Sequence, residues 1–150
     1  MSWRTCWVHD LSLNPIRLRG WELRTIRLPI GSDKRPGASG LHVTSSDDLA
    51  LDPITAAVES LRDLPSGPLA VRADVDVLDF IEAPLAENTD GRNRGPTLDQ
   101  VGTALEVAVR DERFRALSIG VLNPTRSAGD PDAIPRFVAV VASTLGSAHS

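Results

Sequence analysis

The residues best placed to do chemistry are three aspartates that close a single apolar run. Leu69-Ala70-Val71-Arg72-Ala73 leads directly into Asp74-Val75-Asp76-Val77-Leu78-Asp79. The run is broken only by Arg72 and reads as a buried strand. In an open parallel sheet the ligand crevice lies at the carboxyl ends of the strands, so acids that follow such a strand face into it. Side chains alternate along an extended segment, which would send Asp74 and Asp76 to the same side. Two carboxylates so close repel unless a cation lies between them, and a hard divalent ion such as Mn2+ or Mg2+ suits oxygen ligands. Taken alone, Asp-x-Asp after a strand is more often a solvated turn or helix cap than a ligand pair, so the spacing decides little by itself.

Other reactive side chains carry weaker signals. His9-Asp10 reads as a surface pair, His42 as an exposed or hydrogen-bonded residue of a strand, and His149 as part of a tail. Trp21 reads as packing. Ser45-Ser46 and Ser143-Thr144 have no base nearby in sequence to activate a hydroxyl. Cys6 is the only cysteine, which excludes an internal disulfide and a thiolate-rich zinc site and favours a reducing, cytoplasmic setting.

The elements that would position the aspartates become legible from Trp21 onward, whereas residues 1–20 show no sustained period and stay unassigned. Leu23, Ile26, Leu28 and Ile30 make a short strand closed by Pro29 and Gly31, a polar loop runs from Ser32 to Gly40, and Leu41 to Thr44 is a second strand candidate. Asp52-Pro53 offers an N-cap with proline at the first helical position. Ile54, Val58, Leu61 and Leu64 then share one helical face up to Pro65. Phe80 to Pro96 is an irregular polar stretch long enough to be a site loop. Thr97 and Gln100 form a capping box ahead of Leu98, Val101, Leu105 and Val109. Ala116 to Leu122 reads as a buried strand and Asn123 to Gly129 as a loop. A final helix is expected from Asp130-Pro131, carrying Ile134, Val138, Val141 and Leu145 and closed by Gly146. This alternation implies an α/β fold over residues 21–150, a mainly parallel sheet with helices on both faces.

With 150 residues, 41% of them apolar, the chain suits one domain. Its net charge of -4 comes from acids and bases spread along the sequence, which advertises no basic surface for nucleic acid. No run is apolar enough to span a membrane, and Met1 to Trp7 do not resemble a signal peptide, so a soluble, unexported protein is expected. Arginine far outnumbers lysine, Lys34 being the only one, and this bias carries no functional weight.

The text around the aspartates is more specific than their spacing. Leu69 to Asp79 resembles the Ser-Phe-Asp-Val-Asp-x-x-Asp-Pro segment of the ureohydrolase family of arginases and agmatinases. Gly95-Pro96-Thr97-Leu98 looks like the Gly-Gly-Leu-Thr turn that opens that family's next helix, and Leu122-Asn123-Pro124 like its Val-Asn-Pro strand ending. The Asp47-Asp48-Leu49 turn and the helix from Pro53 stand where the family has their counterparts. The likeness runs in order over residues 21–148 and covers only the family's C-terminal half. There are departures. The family's Gly-Gly-Asp-His and Asp-Ala-His-x-Asp motifs do not occur here, and His9-Asp10 lies too close to Asp74 in sequence to replace them. Val121 stands where the family places a substrate-facing acid and cannot pair with a guanidinium. Phe80 stands in place of proline, and Glu82 to Arg94 lacks the family's Gly-Thr-Pro text.

What the resemblance implies is a manganese-dependent hydrolase of a guanidino or amidino C–N bond. Asp74 and Asp76 would be metal ligands, with Asp79 supporting them from behind. With the remaining ligands missing, the chain would bind Mn2+ loosely and turn over little alone. The exposed sheet edge and helix faces of half a fold point to a homo-oligomer or to a complementary N-terminal half. The alternative is a non-catalytic remnant of the arginase fold that serves as an interaction module.

Overall fold

The computed structural model describes residues 44–62, 64, 66–87 and 94–147, together with the backbone of Arg24 and Thr25. The expectations for residues 1–20, for His9, His42, His149 and Trp21, and for most of the first two strand candidates lie outside the described residues.

Three parallel strands form one sheet in the order β1-β2-β3: β1 at Arg24–Thr25, β2 at Leu69–Asp74 and β3 at Phe114–Gly120. β1 pairs with the start of β2, Arg24 opposite Leu69. β2 runs beside β3 from Leu69 opposite Phe114 to Asp74 opposite Gly120, with one irregularity after Leu69. The helices are α1 at Ser46–Leu51, α2 at Pro53–Arg62, α3 at Leu98–Val109 and α4 at Ala133–Ser147. The α/β class with a parallel sheet is therefore as expected.

Local chemistry sets the helix ends. The amide of Thr55 donates to Asp52 Oδ1 at 3.0 Å, the N-cap read from Asp52-Pro53. The Thr97 capping box is complete: Gln100 N donates to Thr97 Oγ1 at 3.2 Å and Thr97 N to Gln100 Oε1 at 2.7 Å. Gln100 also donates through Nε2 to the Ala50 carbonyl, which ties α3 to α1. The turn expected at Asp47-Asp48-Leu49 is instead the short helix α1, started by a second capping box in which Ser45 and Asp48 bond reciprocally.

α3 packs between α2 and α4. The core joins Leu69, Val71 and Ala73 of β2 to Val101, Ala104, Leu105 and Ala108 of α3, with Leu85 and Leu105 among the largest side chains fully enclosed. Alternation along β2 places Ala70 and Arg72 on the opposite face. There Ala70 and Arg72 are partly exposed, and Ala116 and Ser118 opposite them on β3 are exposed.

Two expected helix faces are found in part: Leu61, Leu64, Ile134 and Val141 pack half-buried against the core, whereas Ile54, Val58, Val138 and Leu145 are exposed. In α2 the buried residues are Ala56, Ala57 and Ser60, whereas Ile54 and Val58 are 55% and 43% exposed. Ile54, Val58 and Leu61 line an open groove whose other wall is Thr103, Glu106 and Val107 of α3. In α4 the buried residues are Ala133, Phe137 and Thr144, Val138 is 55% exposed, and the helix continues past Gly146 to Ser147. Among the described residues no helix is long and apolar enough to cross a membrane.

Candidate metal centre at the tip of the second strand

β2 ends at Asp74, and Val75–Val77 forms a single 3-10 turn. The expected projection of Asp74 and Asp76 to one side assumed extended backbone through both residues. That assumption fails, because the chain leaves the strand conformation after Asp74, whose own φ and ψ of -89° and 122° are still extended. Both aspartates are nevertheless buried, at 1% and 4% exposure. They sit at the carboxyl end of a parallel strand, where an α/β sheet offers its ligand crevice.

Backbone close to these residues fixes the turn. Gly95, at φ +159°, passes so near it that a Cβ there would lie 2.6 Å from the Val77 carbonyl oxygen, which no side chain tolerates. The amide of Asp79 donates to the Pro96 carbonyl at 3.1 Å. Asp79 caps the turn that follows, its Oδ1 accepting from Ile81 N at 2.9 Å and its carbonyl from Ala83 N at 2.9 Å. The chain then returns beside the end of β3: Ala86 bridges Leu122 antiparallel, and Asn123 N donates to the Leu85 carbonyl at 2.8 Å. The bend is made at Val121, which holds φ at 57°, a left-handed conformation that strains a β-branched residue.

Two residues to which the sequence reading gave no role shape the Asp74 carboxylate. Arg72 Nε donates to Asp74 Oδ1 at 2.9 Å, the guanidinium being one-third exposed. Gly120, opposite Asp74 on β3, has no Cβ, and one built there would meet Asp74 Oδ1 at 1.9 Å and Arg72 Nη2 at 2.9 Å. The ion pair therefore lies flat across the Gly120 backbone. Its signal in the sequence was the spacing of two between Arg72 and Asp74, which puts both on one strand face. Asp74 Oδ2 is fully buried and accepts no hydrogen bond from any described residue.

No family model and no curated protein matches the sequence. Solved structures do match the fold. The arginase of Helicobacter pylori superposes with a TM-score of 0.62 at 15% identity, over 71% of this chain and 35% of that one. The fold is the arginase fold. The proclavaminate amidino hydrolase of Streptomyces clavuligerus gives a TM-score of 0.58 at 21% identity, over 73% of this chain and 36% of that one. A formiminoglutamase of Trypanosoma cruzi, solved with Mn2+, gives 0.58 at 16%, over 72% and 36%. The chain thus spans about a third of the length of the arginase-fold proteins it matches.

Measured against the manganese that this fold implies, the donor set fits in kind. Carboxylate oxygens are hard ligands, and a buried Asp74 Oδ2 without a hydrogen-bond donor is an oxygen in want of a positive partner. It falls short in number, because among the described residues no group of three or more His, Cys, Asp or Glu side chains converges.

Proposed function

We propose that this chain contributes the aspartate wall of a ureohydrolase-type metal site, and that it hydrolyses a linear amidine C–N bond of a small guanidino or amidino compound only when other chain segments complete that site. The observation that carries the reading is the pair of carboxylates enclosed at the carboxyl tip of a parallel strand in an arginase fold, one Asp74 oxygen lacking a donor. Asp74 and Asp76 would hold the cation, and Asp79 would keep their turn in place through its bonds to Pro96, Ile81 and Ala83. A bound divalent metal supplies a water acidified to hydroxide near neutral pH, the nucleophile for such a hydrolysis. Val121, exposed at the end of β3, cannot bond a guanidinium. A substrate cation would therefore be oriented by residues of the completing partner. The completing segments are an arginase-type N-terminal half, on this polypeptide or a separate one, or another copy of this chain.

Calorimetric titration of Mn2+ into the wild type and into Asp74→Ala, Asp76→Ala tests the site. Heats confined to the wild type support it, and equal heats from both proteins overturn it. Release of urea or ammonia from a panel of linear amidines should be negligible with the chain alone and should appear on addition of an arginase-type N-terminal half. Size-exclusion chromatography should show a dimer or larger species, and a sharp, highly thermostable monomer would refute the need for completion.

A second reading, an arginase-fold interaction module without catalysis, is favoured by the Arg72–Asp74 bond and by the apolar Val121. No Mn2+-dependent heat or turnover, with or without a complementing half, would decide for it.

A further inference from the structure

We infer that Arg72 is a built-in counterion that occupies Asp74 in place of a cation and must swing away before a divalent metal can bind. The inference rests on the metal-site reading above.

Asp74 is 1% exposed, and burying a carboxylate is costly unless positive charge pairs with it. In this chain that charge comes from the same strand. Arg72 lies two residues back on the same face, its Nε reaches Asp74 Oδ1 at 2.9 Å, and Gly120 leaves the flat space in which guanidinium and carboxylate meet. The two carboxylate oxygens are used unequally. Oδ1 is taken by Arg72, while Oδ2 is buried without a donor, so the pair is an incomplete substitute that leaves one ligand position unsatisfied. A metal at Oδ2 would sit within a few ångströms of the guanidinium, and like charges at that distance raise the cost of loading. The means of release is on hand, because Arg72 is one-third exposed and its long side chain can rotate into water, whereas Asp74 cannot leave.

The experiment is calorimetric titration of Mn2+ into the full chain for the wild type, Arg72→Gln, Arg72→Met, Arg72→Lys, and Asp74→Asn in both the wild-type and Arg72→Gln backgrounds. Vacating Arg72 with glutamine or methionine should tighten Mn2+ binding about tenfold, the scale on which groups flanking a metal site act. Arg72→Lys, which keeps the charge, should stay near the wild type. Asp74→Asn should abolish the gain. The melting temperature of Arg72→Gln should rise with added Mn2+ more than that of the wild type. Methionine keeps the length of the side chain over Gly120, so it serves as the folded test should glutamine unfold the chain. Equal affinity in the wild type and both vacated variants, lost with Asp74→Asn, would overturn the counterion role and leave the metal site standing. Absence of Mn2+ binding in every variant would overturn both.

Discussion

Gly120→Ala is the most direct test of the geometry at the strand tip. The added methyl would lie 1.9 Å from Asp74 Oδ1 and 3.1 Å from its carboxyl carbon, so the carboxylate must retreat by about 1 Å even to reach the 3.0 Å below which real contacts do not occur. Asp74 cannot retreat into solvent, being 1% exposed. It must give up its 2.9 Å bond with Arg72 or displace β3. A hydrogen bond between charged partners is worth about 1.5–3 kcal/mol, and forcing a methyl into a filled site costs about 1–3 kcal/mol. These losses overlap, because moving the carboxylate relieves the clash, so the expected cost is about 3 kcal/mol in the midpoint-derived stability from urea denaturation. The decisive control is the same substitution in an Asp74→Ala background, where Oδ1 and the carboxyl carbon are gone and only Arg72 Nη2, at 2.9 Å, must adjust. There Gly120→Ala should cost under about 0.5 kcal/mol, and the non-additivity isolates the contact. A loss of the same size in both backgrounds would show that Gly120 serves the strand and not the carboxylate.

Three other substitutions probe the frame around this site. Val121→Gly should stabilise the chain by about 1 kcal/mol in thermal denaturation, since glycine adopts the left-handed φ of 57° without strain; a loss instead would mean that packing of the valine outweighs its backbone cost. Leu85→Ala, at a fully enclosed side chain next to the bridge with Leu122, should cost about 2–5 kcal/mol by the same assay. Asp111 is held below its ordinary 3.8, first by the hydrogen bond from Arg113, whose guanidinium also donates to the Leu61 and Leu64 carbonyls at the end of α2. A depressed carboxylate stabilises the fold fully above its unfolded value and loses that contribution as pH falls through the folded one. The stability gap between wild type and Asp111→Asn should therefore be flat above about pH 5 and shrink as pH falls below 3.8; a gap that grows or holds constant on acidification would contradict the ion-pair origin.

Much of the fold was legible because its signals are local. Asp52-Pro53 and Thr97-Leu98-Asp99-Gln100 satisfy helix amides within one turn, so the residues that start these helices need no knowledge of the rest of the chain. Ser45-Ser46-Asp47-Asp48 carries a comparable signal with aspartate as the reciprocal partner, and it was read as a turn because no apolar period follows it. The faces of α2 and α4 were harder. Period alone gives Ile54, Val58 and Leu61 a common side, but which side of a helix is buried depends on the neighbours it meets, and in α2 full burial falls to Ala56, Ala57 and Ser60. The extended backbone from which a common side for Asp74 and Asp76 was inferred failed for a related reason: the strand stops where Gly95 and Pro96 close on the turn, contacts some twenty residues away in sequence.

At the strand tip, three residues violate local preference at once. Arginine interrupts an otherwise apolar strand, an aspartate is buried at its end, and a glycine without a side chain to pack ends the adjoining strand. Separately each is a defect of about a kilocalorie per mole or more. Together they have one explanation, because the guanidinium neutralises the carboxylate and the missing Cβ makes the room in which they meet. A purely structural pair would be better replaced by apolar side chains, since a buried ion pair seldom repays its desolvation, and it would not leave a second oxygen of the same carboxylate without a donor. Retaining the charge while leaving Asp74 Oδ2 without a donor is what the counterion reading expects of a carboxylate whose cation has yet to bind.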